Sequence, residues 1–131
     1  MEDYIVREID KIGVLLRGLL LRMGAGSGTE RQQVEACRAE LFDAIGLELD
    51  ALLAEEDFIG ELRGRYGFGE EHLESFAELL FGLCRASEDA AERRRMAGCA
   101  ISLCRHLDAA GFPPSWNRFL ILREQEEQAP L

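Results

Sequence analysis

The two histidines of the chain, His72 and His106, are its most versatile side chains, because imidazole can act as an acid, a base or a metal ligand near neutral pH. Neither has a carboxylate or a cysteine nearby in the sequence at the spacing of a metal site or a catalytic triad. His72 falls in the first turn of a predicted helix. His106 lies near the end of another, where a cation complements the helix dipole. We therefore predict no catalytic residue, although a site assembled from distant residues leaves no local trace.

The cysteines are numerous enough for two disulfides, but their positions favour reduced thiols in the core. All fall inside apolar helical patterns, and we expect no export signal ahead of them. Cys99 and Cys104 are five positions apart and point to different helix faces, whereas paired zinc ligands are separated by about two to four residues. We predict no metal ion and no cofactor. The cysteines are Cys37, Cys84, Cys99 and Cys104.

Two further motifs do not fit ion or phosphate binding. The acidic clusters at 55–57 and 70–71 lack the alternating oxygen ligands and the central glycine of a calcium loop, and they suit the positive ends of helices instead. The glycine- and serine-rich stretch 24–28 follows a helix rather than a strand, and no lysine precedes the hydroxyl residue, so it does not match a phosphate-binding loop. We predict a flexible linker there.

The overall charge disfavours nucleic acid as a partner. The chain contains 25 acidic and 15 basic residues, a formal net charge of -10, which repels a phosphate backbone. Its basic cluster at 93–95 follows acidic residues at 88, 89 and 92, so a neutralised, solvent-facing helix surface is the simpler interpretation. A contact with RNA or a phosphopeptide remains the alternative there. Hydrophobic residues make up 47% and charged residues 31% of the 131 residues, which predicts a single globular domain over 1–131.

The segment 1–23 predicts one long amphipathic helix. Its start is acidic and its leucine run is interrupted by Arg17 and Arg22, so we expect neither a signal peptide nor a membrane-spanning helix, and its balanced charge disfavours a membrane-surface role. One stripe steps by alternating intervals of four and three residues, which is typical of a buried face. Two interpretations remain open: a central core helix, or a helix that also contacts a second copy or a partner. The stripe consists of Ile5, Ile9, Ile12, Leu16, Leu19 and Met23.

The rest of the chain predicts further helices and no strand, because no alternating β-branched run occurs. We expect a helical bundle over 29–128, with a capping box at Thr29 and helix stops at Gly46 and Gly111. Ser87 is predicted to cap the helix that follows it. The last helix is predicted to face inward through Trp116, Phe119 and Leu120. The predicted fold is an all-α bundle of about five to seven helices.

Two of these helices, over 70–86 and 88–110, are joined by a tight link and predict a helical hairpin in the C-terminal half. The hairpin is tetratricopeptide-like in architecture only. When Phe81 and Gly82 are aligned with the Leu-Gly pair of that repeat, Arg94 occupies a position that the repeat reserves for a small residue. We therefore predict a hairpin without assigning the repeat family.

The opening phrase Asp3-Tyr4-Ile5-x-Arg7-x-Ile9-x-x-x-Gly13, with the later stretch 46–53, resembles a family of small, uncharacterised, all-helical bacterial proteins. The resemblance is best over the first half of the chain. It implies no activity and no catalytic residue. It does imply that Tyr4, Arg7 and Gly13 form a recurrent unit, in which the glycine admits another backbone and the arginine pairs with an acid. One lysine against fourteen arginines also indicates a GC-rich bacterial genome, and we expect a cytoplasmic bacterial protein.

Three classes of function follow from these patterns. The first is a non-catalytic protein–protein interaction or scaffold module, which uses the N-terminal helix or the 70–110 hairpin to bind another protein or itself as a homodimer. The second is a small-molecule-binding protein or unrecognised enzyme with a pocket between helices. The third, an adaptor that binds anionic surfaces through its arginines, is disfavoured by the net charge. The possible pocket residues are Tyr66, His72, His106 and Trp116.

Overall fold

The computed structural model describes the backbone of residues 2–24 and 29–128 and the side chains of residues 11–23 and 29–124. Within these ranges the chain folds into seven α-helices without a strand, which confirms the predicted all-α bundle. None of the helices, over the residues described, is long and apolar enough to cross a membrane. The helices are α1 (Glu2–Gly24), α2 (Glu30–Ile45), α3 (Leu49–Ala54), α4 (Phe58–Gly64), α5 (Glu70–Ala86), α6 (Ala90–Ala109) and α7 (Trp116–Gln128).

Short-range hydrogen bonds fix both ends of α2. The Thr29 hydroxyl accepts the backbone N–H of Gln32 at 3.1 Å, and the Gln32 side-chain oxygen accepts that of Thr29 at 2.9 Å, so the predicted capping box is present. Gly46 ends the helix in the left-handed conformation, with φ 69°, which glycine adopts without a steric penalty. The predicted linker before α2 lies outside the described residues over 25–28.

The link between α5 and α6 differs from the prediction. Ser87 does not cap α6 but ends α5, because its backbone N–H donates to the Leu83 carbonyl at 2.9 Å. Asp89 caps α6 instead, since its carboxylate accepts the backbone N–H of Ala91 at 3.1 Å. The Ser87 hydroxyl accepts the Asp89 N–H at 3.3 Å and so shapes the link. Helix α6 therefore begins two residues after the predicted start at 88.

Helix α5 is the central element of the bundle and contacts α1, α2, α6 and α7. Its most extensive contact is with α6, the other helix of the predicted hairpin. Phe68, in the turn before α5, lies edge-on to the Phe76 ring with centroids 5.7 Å apart. The likeness of this pair to a tetratricopeptide unit stays a prediction. The buried residues of α5 are Leu73, Phe76, Ala77, Leu79, Leu80, Leu83 and Ala86.

Helix α1 packs on α5 through one face. Leu16 is fully buried and Leu19 is 3% exposed, while Ile12 and Met23 are partly buried against the same core. The Met23 methyl lies so close to α5 that a Cβ at Gly82 would be only 2.8 Å from it. This face of α1 is therefore part of the hydrophobic core.

Helix α7 packs with a different face from the predicted one. Trp116, Phe119 and Leu120 are 70%, 49% and 41% exposed, so the prediction that they face inward is wrong. Arg118 and Ile121 are buried in their place, each with 3% exposure. The physical reason is that Arg118 finds its hydrogen-bond partners on the side of α7 that faces α5 and α6.

Candidate functional site

Arg118 anchors α7 through all three of its side-chain nitrogens. Nε donates to the Asp108 carboxylate at 2.7 Å, and Nη1 donates to the Glu74 carboxylate at 3.0 Å. Nη2 donates to the backbone carbonyls of Phe112 and Pro113, both at 3.0 Å. These hydrogen bonds replace those that the buried guanidinium has lost with water. Arg118 therefore ties α7 to α5, to α6 and to the turn between α6 and α7.

The orientation of α7 exposes an apolar surface. The rings of Trp116 and Phe119 stack on each other, with centroids 5.4 Å apart and an angle of 24° between their planes. Leu120 continues this surface toward the bundle. Large apolar side chains that are exposed together, rather than singly, are typical of interaction surfaces.

A groove runs along α5 between α1 and α7. One half, a depression of about 420 Å³, combines apolar residues with two polar ones, and the other half, of about 350 Å³, is acidic. Glu78 lines both halves, so we treat them as one feature, the α5 groove. The apolar half is lined by Leu20, Glu78, Phe81, Asn117, Leu120 and Ile121. The acidic half is lined by Glu71, Glu74, Ser75, Glu78, Phe112, Pro113 and Ser115.

Glu78 occupies the junction between the two halves and lacks a cationic partner among the described residues. Partial burial raises the pKa of the Glu78 carboxyl, and the neighbouring negative charge of Glu74 raises it further, although a hydrogen bond from the Asn117 amide opposes both effects. Glu74 is paired with Arg118, whereas Glu78 is paired only with a neutral amide. The α5 groove therefore presents negative charge next to apolar surface.

Two of the predicted pocket residues, His72 and Tyr66, make local contacts at or before the start of α5. The Nδ1 atom of His72 accepts the backbone N–H of Gly69 at 2.9 Å, so the neutral ring carries its proton on Nε2. The His72 ring also lies edge-on to Phe68, with centroids 5.9 Å apart. Tyr66 is partly buried, and the Arg65 guanidinium lies 5.6 Å from its ring centroid. His72 thus completes the cap of α5 and does not line the α5 groove.

The other two predicted pocket residues, Trp116 and His106, lie on α7 and α6. Trp116 is 70% exposed on the outer side of α7. His106 is partly buried on α6, and its Nε2 atom has no hydrogen-bond partner in the described part of the chain. None of the four predicted residues lines the α5 groove. A pocket built from this set stays a prediction.

A separate cleft of about 330 Å³ lies between the end of α1 and α2. Burial raises the pKa of the Cys37 thiol in this cleft to about 12, so the thiol is not a nucleophile at neutral pH. Arg22 and Glu40, which also line the cleft, form a doubly hydrogen-bonded ion pair. All four cysteines are free, and no metal-binding cluster occurs among the described residues. The other lining residues are Leu19, Met23, Gln32, Gln33 and Ala36.

Part of the predicted site lies outside the described side chains. Gly13, which belongs to the predicted polar unit, is described and buried. The separate basic cluster at 93–95 is exposed on α6. The unit that the family resemblance implies stays a prediction, because most of its residues are in the first ten. The residues whose side chains are outside the description are Tyr4, Ile5, Arg7 and Ile9.

The chain matches no protein-family model, no curated protein and no solved structure.

Sequence reasoning did not identify Arg118 or Glu78. Arg118 carries a usable signal, since it is a single cation within a mostly apolar stretch from Trp116 to Leu122, and a charge on a packed helix needs a partner. Glu78 carries no such signal, because it is one of several acids on α5 and its setting is made by the distant residue Asn117.

Proposed function

We propose that the protein is a non-catalytic interaction module that binds a helix of a protein partner in the α5 groove. The observation that carries this proposal is the groove itself, an apolar channel between α1 and α7 with acidic residues along its continuation. A helix that lays its apolar face into such a groove is a common mode of peptide recognition. We further propose that the protein acts in the bacterial cytoplasm, which its arginine-rich composition supports.

The exposed apolar residues supply the binding energy in this proposal. Leu120 is 41% exposed on one wall of the groove, and the stacked Trp116 and Phe119 extend that wall. Complete burial of one large apolar side chain stabilises a complex by roughly 1.5 to 3 kcal/mol relative to its exposed state. Aromatic residues of this kind commonly dominate the affinity of interfaces.

The test compares the wild-type protein with Leu120→Glu and with a control, Phe42→Glu. Phe42 is 57% exposed on α2 and does not line the groove, so its substitution changes an apolar surface elsewhere. Light scattering detects self-association, and any protein that co-purifies with the chain is isolated and titrated against each variant. We expect Leu120→Glu to weaken association at least about tenfold and Phe42→Glu to leave it unchanged. Equal association by all three proteins would contradict the proposal.

The second candidate function is binding of a small apolar molecule in the cleft beside Cys37. Its support is the size of the cleft, about 330 Å³, which lies at the lower end of ligand pockets. Substitution of Ala36 by Trp is expected to fill the cleft and abolish binding of a hydrophobic fluorescent probe such as anilinonaphthalene sulfonate. Probe binding that survives Ala36→Trp would place the probe elsewhere and remove this candidate.

A further inference from the structure

We infer that the occupant of the α5 groove is helix α1 of a second copy of the chain, so that the protein forms a reciprocal homodimer. This inference rests on the proposed function, because it names the partner of the same groove. It is carried by the exposed face of α1, by the way the described part of that face spans the groove, and by their charges.

The face of α1 that points away from the core exposes two large apolar side chains. Val14 is 58% exposed and Leu21 is 75% exposed, whereas Leu16 is fully buried. Gly18 lies between them at helical spacing, and a Cβ there would meet only the Arg22 guanidinium, at 3.8 Å. Packing within the described chain does not require this glycine, whereas a second helix that crosses here can approach closely. The outer stripe of α1 consists of Lys11, Val14, Gly18 and Leu21.

The described part of the outer stripe spans the groove. Lys11 and Leu21 are ten positions apart on α1, and Glu71 and Phe81 are ten positions apart on α5. Both spans are therefore about 15 Å along a helix axis. With Leu21 of the second copy placed against Phe81 and Leu120, Val14 lies within the groove and Lys11 reaches its acidic half.

The charges of the two surfaces are complementary in this placement. The outer stripe carries the cation Lys11 at one end and apolar residues beyond it. The groove carries Glu71 at the corresponding end, and Glu71 forms no ion pair within the described part of the chain. A lysine brought by a second copy supplies a counter-charge for Glu71.

The packing of α1 within one copy makes the arrangement reciprocal. Leu20 lies in the groove near Phe81, and Met23 lies against Gly82, so α1 and α5 run in the same direction. A two-fold axis parallel to α1 and α5 places α1 of each copy beside α1 of the other. Equivalent residues of the two helices then lie at the same height along the axis. Each α1 then fills the groove of its partner, and the assembly closes as a dimer without further sites for growth.

The experiment measures the mass of the full chain by light scattering over a dilution series, at about 0.15 M salt to screen the net charge of -10 on each copy. We expect a dimer for the wild type. We expect folded monomers for Leu21→Glu, which places a charge on the outer stripe, and for Leu120→Glu, which places a charge on the groove wall. Phe42→Glu is the control and stays dimeric. Helical circular dichroism and the thermal midpoint show whether each variant is folded.

Mixing the two monomeric variants tests the reciprocal geometry. A heterodimer of Leu21→Glu with Leu120→Glu retains one intact contact, between the stripe of the second and the groove of the first, so we expect the mixture to regain dimer. Opposed charges give a further check: Lys11→Glu and Glu71→Lys each weaken the dimer by about two- to fivefold, and the double variant recovers it.

Three results would overturn the inference: a wild type that is monomeric at every concentration, a dimer that both glutamate variants retain, or a mixture that stays monomeric. Retention of the dimer by Leu120→Glu alone would indicate that the two stripes pack on each other instead. The proposed function can survive failure of this inference. If the wild type is monomeric but Leu120→Glu weakens its complex with another protein, the groove remains an interaction site. Only the second copy is then removed as its occupant.

Discussion

A guanidinium buried in a protein core must recover the hydrogen bonds it loses with water, and Arg118 recovers them from two carboxylates and two backbone carbonyls. The Phe112 ring also lies 5.7 Å from its guanidinium carbon. Asp108 is half exposed, whereas the side chain of Glu74 is only 18% exposed. Loss of the arginine would therefore leave a partly buried carboxylate at Glu74 without a counter-charge.

We predict that Arg118→Met lowers the free energy of unfolding by about 3 kcal/mol, because removal of one partner from a buried ion pair leaves the other unpaired. The matched control is Arg94→Met, on the exposed face of α6, which should change it by less than about 0.5 kcal/mol. Urea denaturation followed by circular dichroism measures both. Equal effects of the two substitutions would show that Arg118 does not anchor α7.

The buried Cys37 thiol gives a pH-dependent prediction. Burial raises its pKa from 9.0 to about 12, so between these values the unfolded chain loses the proton while the folded chain retains it. The stability that Cys37 contributes is complete below pH 9 and is lost as the pH rises toward 12. We therefore expect the unfolding free energy of Cys37→Ala to fall less steeply above pH 9 than that of the wild type. Parallel curves in urea titrations over this range would contradict the prediction.

At the scale of secondary structure, α4 shows how a single cap holds a short helix. It spans Phe58–Gly64, and the Asp57 carboxylate accepts the backbone N–H of Gly60 at 3.1 Å. The carboxylate lies so close that a Cβ at Gly60 would be 2.2 Å from one of its oxygens. A Cβ at Gly64, in contrast, would have no neighbour within 4 Å.

We predict that Gly60→Ala destabilises the protein by about 1 kcal/mol, since the new methyl displaces the capping carboxylate. Gly64→Ala is the control and should stabilise it by up to about 1 kcal/mol through helix propensity. In the Asp57→Ala background the cap is already absent, so Gly60→Ala should cost nothing further. Thermal unfolding of the four variants measures this coupling, and additive effects of the two substitutions would refute it.

How far the sequence predicts an element depends on where its determining contacts lie. The capping box at Thr29 and the glycine stop at Gly46 depend on neighbours within a few residues, and the sequence predicts both. The face of α7 depends on Glu74, which is 44 positions from Arg118 in the chain. Because apolar residues occur on several sides of α7, its pattern does not select one face, and a tertiary ion pair makes the choice.

The same limit applies to the candidate site. The apolar character of α1 predicts that one stripe is buried and leaves its remaining surface open to two interpretations. The structure shows that both Leu16 and Leu19 belong to the core, while Val14 and Leu21 are exposed. The groove could not be predicted, because it is formed by α1, α5 and α7 together and depends on the orientation that Arg118 gives to α7.

At the scale of the whole molecule, the described helices leave apolar residues exposed on the outer stripe of α1 and in the α5 groove, beside the stacked Trp116 and Phe119. Exposed surfaces of this kind cost stability in water unless another molecule covers them. We propose that a helix covers the groove and that this helix is α1 of a second copy. One association event then buries both surfaces.

The measurement that tests this account most directly is a concentration series of ¹H–¹⁵N NMR spectra of the wild-type chain. As the protein is concentrated from the low micromolar range upward, we predict chemical shift changes at Val14 and Leu21 on the stripe and at Phe81 and Leu120 in the groove. The signal of Phe42 should stay constant, because it lies on neither surface. Unchanged spectra from a chain that light scattering shows to be monomeric over the same range, or changes confined to α2, would contradict this prediction.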